Sequence, residues 1–202
     1  MQRPSQFTGF VGRMILIYGL LIIPWPGFNA TYGRYFRALG GLAFAHESGP
    51  HLLRFEPVPE APQHPLDTRL LLADRAQLDA SGRGPVQYVA LDSRGIGWVP
   101  TALLLALILA TPLPWRRRVW ALLVGLMAVH GLILISLATA ICSGSMAMSP
   151  EASGPFWRQV VGGLEETLIT QMGAGLVVPV LIWVLVALRK RDLVRWRGGA
   201  GH

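Results

Sequence analysis

Long apolar runs make up much of the chain, and charged residues fall mainly at the ends of these runs. A helix that crosses the hydrocarbon core of a bilayer needs roughly 17 to 25 mostly apolar residues. Four runs approach this length, at residues 14–30, 98–115, 119–142 and 168–188. The pattern therefore predicts a mainly α-helical membrane protein with about four transmembrane helices.

The first run allows a second interpretation, as a signal peptide. Arg3 and Arg13 precede its strongly apolar part, residues 14–23, and residues 43–45 (AFA) resemble a cleavage site. That site lies about 20 residues beyond the apolar part, which is too far for ordinary cleavage. The spacing favours a helix that is retained as a membrane anchor.

The segment between the first two runs changes to short β-type stretches bounded by turn residues. Residues 52–58, 68–73 and 86–91 predict a small antiparallel β domain of about three strands outside the membrane, between helices 1 and 2. Residues 31–45 predict either a helix lying in the membrane interface or a continuation of the first helix. Farther on, residues 156–164 carry apolar side chains at helical spacing, which is typical of an interfacial or re-entrant helix.

These assignments divide the chain into five parts. They are an N-terminal tail with transmembrane helix 1 (1–30), an extracytoplasmic segment with an interfacial helix and the sheet (31–97), transmembrane helices 2 and 3 joined by a cytoplasmic arginine-rich turn (98–142), an extracytoplasmic loop or interfacial helix (143–167), and transmembrane helix 4 with a basic cytoplasmic tail (168–202).

Composition agrees with a lipid environment, because 52% of the residues are hydrophobic and 14% are charged. A net charge of +7 would suggest nucleic acid as the partner of a soluble protein. Here the basic residues border apolar runs, so we expect the lipid bilayer as a partner and no nucleic acid. Lys190 is the one lysine among 18 basic residues, a bias that indicates a GC-rich, bacterial genome.

Basic residues near helix ends also set the orientation, because they favour the cytoplasmic side of the membrane. This rule predicts a multi-pass protein of the bacterial inner membrane with both the N- and the C-terminus in the cytoplasm. The residues that determine this topology are Arg13, Arg116, Arg117, Arg118, Arg189, Lys190 and Arg191.

Ionisable residues within the apolar runs are the first place to look for chemistry. His130 lies near the middle of the third run, and Glu165 and Glu166 lie just before the fourth. A packing histidine and solvated end charges explain these residues at least as well as a catalytic pair does. Cys142 follows His130 by twelve residues, or roughly 18 Å of straight helix, which separates the two side chains. No cofactor or metal site is predicted.

Residues 54–57 (RFEP) lie at the start of the β-type segment, and residues 92–100 (DSRGIGWVP) lead into the apolar run and arginine turn at 103–118. In these stretches and in the order of its elements, the chain resembles a family of small bacterial proteins, the exosortase-associated membrane proteins. The resemblance implies an accessory of an exosortase-type protein-sorting system. Exosortases themselves use cysteine, arginine and histidine, and Cys142 lacks such partners in the sequence, so the resemblance does not extend to the sorting enzyme.

The sequence therefore favours a non-catalytic accessory or assembly subunit that contacts membrane-protein partners. A small membrane enzyme acting on lipid or a lipid-linked substrate, built around His130 with Glu165 or Glu166, is the alternative. A transport subunit is the least favoured class, because no repeat and no polar conducting face is visible.

Overall fold

The computed structural model describes residues 6–23, 25–44, 51–58, 66–80, 84–149, 151, 154–170 and 172–187. It contains six α-helices and three strands within these ranges. In chain order they are α1 (Gln6–Ile22), α2 (Phe28–Phe44), β1 (His51–Pro57), β2 (Thr68–Asp74), β3 (Val86–Leu91), α3 (Val99–Ala110), α4 (Trp115–Met148), α5 (Pro155–Glu165) and α6 (Met172–Ala187). Short π-helical segments at Arg94–Trp98 and Glu166–Thr170 precede α3 and α6.

The prediction of about four transmembrane helices is wrong. Within the described ranges one helix, α4 with 34 residues, is long and apolar enough to cross a membrane. The α-helical part of the second predicted span has 12 residues, or about 18 Å, against a hydrocarbon core of roughly 30 Å. α1 has 17 residues and the described part of α6 has 16.

Helix-breaking residues explain the difference, because apolar runs in the sequence continue through them and the helices do not. The first run was predicted to reach residue 30, but α1 ends at Ile22 and Gly27 adopts a positive φ of 75° in the turn before α2. The second run was predicted to reach residue 115, but α3 ends at Ala110, just before Pro112 and Pro114.

The described residues fall into two compact units, and α4 contributes to both. The first comprises Met1–Pro24, Val99–Gly131 and Gly175–His202. In it α1 packs along α3, and Gly125 of α4 lies so close to α3 that a Cβ would be 3.0 Å from a Leu104 methyl carbon. Gly125 and the buried Ala121 therefore serve packing inside the chain.

The second unit comprises Trp25–Trp98 and Leu132–Ala174. Its sheet has the order β1-β2-β3 with antiparallel pairing throughout, as the sequence predicted, and each observed strand end lies within one residue of the predicted one. Leu70 and Leu72 of β2 are fully buried, and α2 packs on β1. Gly144 of α4 lies against Leu72 and Val89, so the sheet also rests on the end of the long helix.

Candidate functional site

A cavity of about 210 Å³ opens in the second unit, where α2 begins and where the chain enters β2 and leaves β3. Its walls are formed by Phe28, Asn29 and Tyr32 from the first turns of α2, by Asp67, and by residues 92–94. The register of the sheet brings the acidic residues together. Because Thr68 pairs with Leu91, the residues next to them, Asp67 and Asp92, come side by side at one end of the hairpin.

The Asp67 carboxylate is held rigidly by the segment that follows β3. Its Oδ1 accepts a hydrogen bond from the Ser93 backbone N–H (N···O 2.9 Å), and its Oδ2 accepts one from the Ser93 hydroxyl (2.5 Å). α2 passes the same carboxylate so closely that a Cβ on Gly33 would lie 2.6 Å from Oδ2. A larger residue at this point of α2 would force the helix or the Asp67 side chain to shift.

Asp92 caps the helical segment that leads into α3. Its Oδ1 accepts a hydrogen bond from the Arg94 backbone N–H (3.0 Å), and its carbonyl accepts one from the Ile96 N–H (3.0 Å). Such capping satisfies backbone donors that a helix start leaves without partners. Both carboxylates thus accept hydrogen bonds that stabilise the unit. Arg37 lies nearby, with its Nη1 3.5 Å from the Asp67 carbonyl oxygen.

Aromatic rings form the other wall of the cavity. The Phe28 ring lies 4.6 Å from the Trp98 ring and 5.9 Å from the Tyr32 ring, measured between centroids. Tyr32 also approaches Trp98, at 5.6 Å, and its hydroxyl lies where a Cβ on Gly97 would have to be. The cavity is therefore amphipathic, with flat apolar rings facing fixed polar groups.

The size of the cavity limits what it accepts. Sites for cofactors and drug-sized ligands occupy roughly 300–1,000 Å³, and about 210 Å³ is smaller. A single large side chain of a partner is a better match in volume. Among the residues that the structure describes, no group of three or more His, Cys, Asp and Glu side chains is placed to hold a metal ion.

Sequence reasoning missed this site, because charged residues such as Asp67, Asp92 and Arg94 in a turn-rich segment are typical of an exposed surface. All three are half-buried and line the cavity. The available signal was the hairpin: two β-type runs that pair as neighbours place the residue before one strand next to the residue after the other. The aromatic wall from α2 carried no such signal, because it depends on how the helix packs.

The weak catalytic candidates are distributed over the two units. His130 belongs to the first unit, is half-buried in α4, and has Nδ1 2.7 Å from the Leu126 carbonyl oxygen one turn earlier. Glu165 and Glu166 belong to the second unit. Glu165 Oε2 accepts a hydrogen bond from the Ser143 hydroxyl (2.6 Å), and Glu166 is exposed. These contacts match structural roles for His130 and Glu165.

The predicted topology residues that the structure describes make contacts within the first unit. Arg13 Nε donates to the Gly9 carbonyl (3.1 Å), and Arg116 is exposed. Arg117 Nη2 donates to the Ala187 carbonyl (2.8 Å) at the end of α6, while Arg118 Nη2 donates to the Thr111 carbonyl (3.3 Å). Arg189, Lys190 and Arg191 lie outside the described residues.

The fold and the cavity together define a helical protein with a membrane-length helix and a small three-stranded sheet. The chain matches no protein-family model, and comparison with curated proteins and with solved structures gives no match.

Proposed function

We propose that this protein is a non-catalytic accessory or assembly subunit of a bacterial inner-membrane complex, anchored by α4 and contacting a membrane-protein partner through the second unit. An exosortase-type sorting system is the proposed class of complex, from the resemblance of residues 92–118. Two features of the structure support the proposal: the exposed apolar surface of α4, which is the main support, and the cavity of the second unit.

The carrying observation is the apolar surface of α4. The core helix of a soluble protein is mostly buried, whereas 33% of the most apolar 18-residue stretch of α4 is buried. Large side chains along it are exposed, including Leu123, Met127 and Ile135. An apolar surface of this length requires a cover of lipid or protein, and a 34-residue helix of about 51 Å exceeds the bilayer core.

The cavity of the second unit supports a partner rather than a substrate. Its volume suits one inserted side chain, and its aromatic wall offers the flat apolar contact that anchors of interfaces use. A side chain with an apolar stem and a polar tip would contact the Phe28 and Tyr32 rings with its stem. Its tip would then lie near the fixed polar groups at Asp67 and Ser93.

The orientation of α4 follows from its N-terminal arginines. Arg116, Arg117 and Arg118 at one end favour placing that end in the cytoplasm. The same rule favours a cytoplasmic position for the N- and C-termini. Labelling of Trp115→Cys in inverted vesicles and of Met148→Cys in intact cells, each in a Cys142→Ala background, tests the orientation of α4.

Photo-crosslinking in the native membrane tests the partner. A photoreactive amino acid at Asn29, on the rim of the cavity, should give a defined adduct with one membrane protein. The same residue at Arg34, exposed on α2 but not lining the cavity, is the matched control. A chain that purifies alone from mild detergent at native expression, without an adduct from Asn29, would overturn the proposal.

A further inference from the structure

The helix α5 carries an apolar face that is largely exposed, although Val160 and Val161 in it are half-buried. At about 100° per residue, Phe156, Val160, Leu164, Trp157 and Val161 fall within an arc of about 140°. The opposite arc holds Arg158, Gln159, Gly162, Gly163 and Glu165. All eleven residues of α5 are described and none of them is buried, with Phe156 67% and Trp157 60% exposed.

The position of α5 relative to the end of α4 is fixed within the second unit. Pro155 begins α5 seven residues after Met148 ends α4. The hydrogen bond from Ser143 to Glu165 (2.6 Å) then ties the last residue of α5 to the last turns of α4. The C-terminal end of α5 is therefore held close to the last turns of α4.

We propose that α5 lies in the plane of the membrane, at the extracytoplasmic surface of the inner membrane. Its apolar arc would be inserted between the lipid headgroups and the upper part of the acyl chains. This inference rests on the proposed function, because it requires that α4 crosses the bilayer. α5 has 11 residues, about 17 Å, and is too short to cross. A broad apolar face with Trp, Phe and Leu opposite a polar face is the pattern of interfacial helices.

The driving force is burial of apolar surface. α5 carries one basic residue, Arg158, and one acidic residue, Glu165, both on the polar arc. A helix without net charge gains nothing from anionic lipid, unlike the lysine- and arginine-rich helices that do. Neutral lipid is therefore sufficient for insertion, and salt has little effect on it.

Spin labels on the full chain in phosphatidylcholine vesicles test the proposal. In a Cys142→Ala background, single cysteines replace Val160 and Leu164 on the apolar arc, and Arg158 and Gln159 on the polar arc. Collisions with oxygen, which concentrates in lipid, and with a water-soluble nickel chelate are then measured. Val160→Cys and Leu164→Cys should show an oxygen-to-nickel ratio several-fold above that of the two polar-arc positions.

A label at Met127→Cys distinguishes the membrane anchor α4 from the interfacial helix α5, because Met127 is an exposed side chain in α4. If Met127→Cys reports lipid but all four α5 positions report water, the interfacial helix is overturned and the anchor is not. Shielding of the apolar-arc positions from both reagents would mean that protein covers α5, and it also overturns the proposal. A water-like signal at Met127→Cys would overturn the anchor and the interfacial helix together.

Discussion

Thr111 joins three helices of the first unit through its hydroxyl and carbonyl groups. Its hydroxyl donates to the Leu107 carbonyl (2.6 Å) and accepts from the Trp183 indole N–H (2.9 Å) in α6. Its carbonyl accepts from Arg118 of α4. Trp183 in turn stacks on Phe10 of α1, with 5.6 Å between ring centroids. Thr111 thus connects α3, α4 and α6, and Trp183 extends this packing to α1.

Thr111→Val should lower the free energy of unfolding by about 1–3 kcal/mol, because it leaves the buried Trp183 N–H without an acceptor. Titration with SDS in mixed micelles measures the loss. Thr31→Val is the matched control, since the Thr31 hydroxyl also donates to a carbonyl one turn earlier (3.0 Å) but is exposed. That change should stay within about 0.5 kcal/mol. Equal losses in the two variants would contradict the role assigned to Thr111.

Two glycines of α2 should respond in opposite directions to alanine. Gly33→Ala places a methyl group against the Asp67 carboxylate, which Ser93 holds in place, and should cost about 1–3 kcal/mol of stability. Gly41→Ala meets nothing within 4 Å and should stabilise by up to about 1 kcal/mol through helix propensity. Thermal unfolding of both variants measures the two changes in stability. Stabilisation by Gly33→Ala would contradict the close contact between α2 and the Asp67 carboxylate.

At the scale of elements, the Ser143–Glu165 hydrogen bond should limit the local unfolding of α5. Glu165→Ala removes the acceptor, and a loss of about 1 kcal/mol corresponds to roughly fivefold faster amide exchange in α5. Glu166→Ala changes the neighbouring exposed acid and provides the control, with exchange close to that of the parent chain. Unchanged exchange in Glu165→Ala would show that the bond does not hold α5.

The sequence predicted elements well where local chemistry decides them. The three strands were found because turn residues and β-type runs are local signals, and the apolar core of α4 was found because no charge interrupts residues 119–142. Span lengths were overestimated, because α1 ends at Ile22 and α3 ends at Ala110, inside runs that remain apolar. The cavity was missed because Asp67 and Asp92 meet through strand register, a contact that spans 25 residues of sequence.

At the scale of the whole molecule, an anchored and a soluble chain differ in how they tolerate charge on α4. Met127 and Trp115 are exposed to similar extents, 76% and 72%, but Met127 lies well inside the apolar stretch and Trp115 begins the helix beside three arginines. In water, arginine at either position would be nearly neutral. In a bilayer, Met127→Arg places a charge in lipid.

Met127→Arg should therefore impair membrane insertion, at a cost of roughly 2.5–3.5 kcal/mol for arginine at a helix centre. Trp115→Arg should insert normally, because its side chain lies at the headgroup level and adds to the positive charge there. The fraction of chain resistant to carbonate extraction measures both variants at matched expression. Equal resistance of the two variants would mean that the exposed face of α4 meets water or protein rather than lipid, because only lipid distinguishes two side chains of equal exposure by their depth.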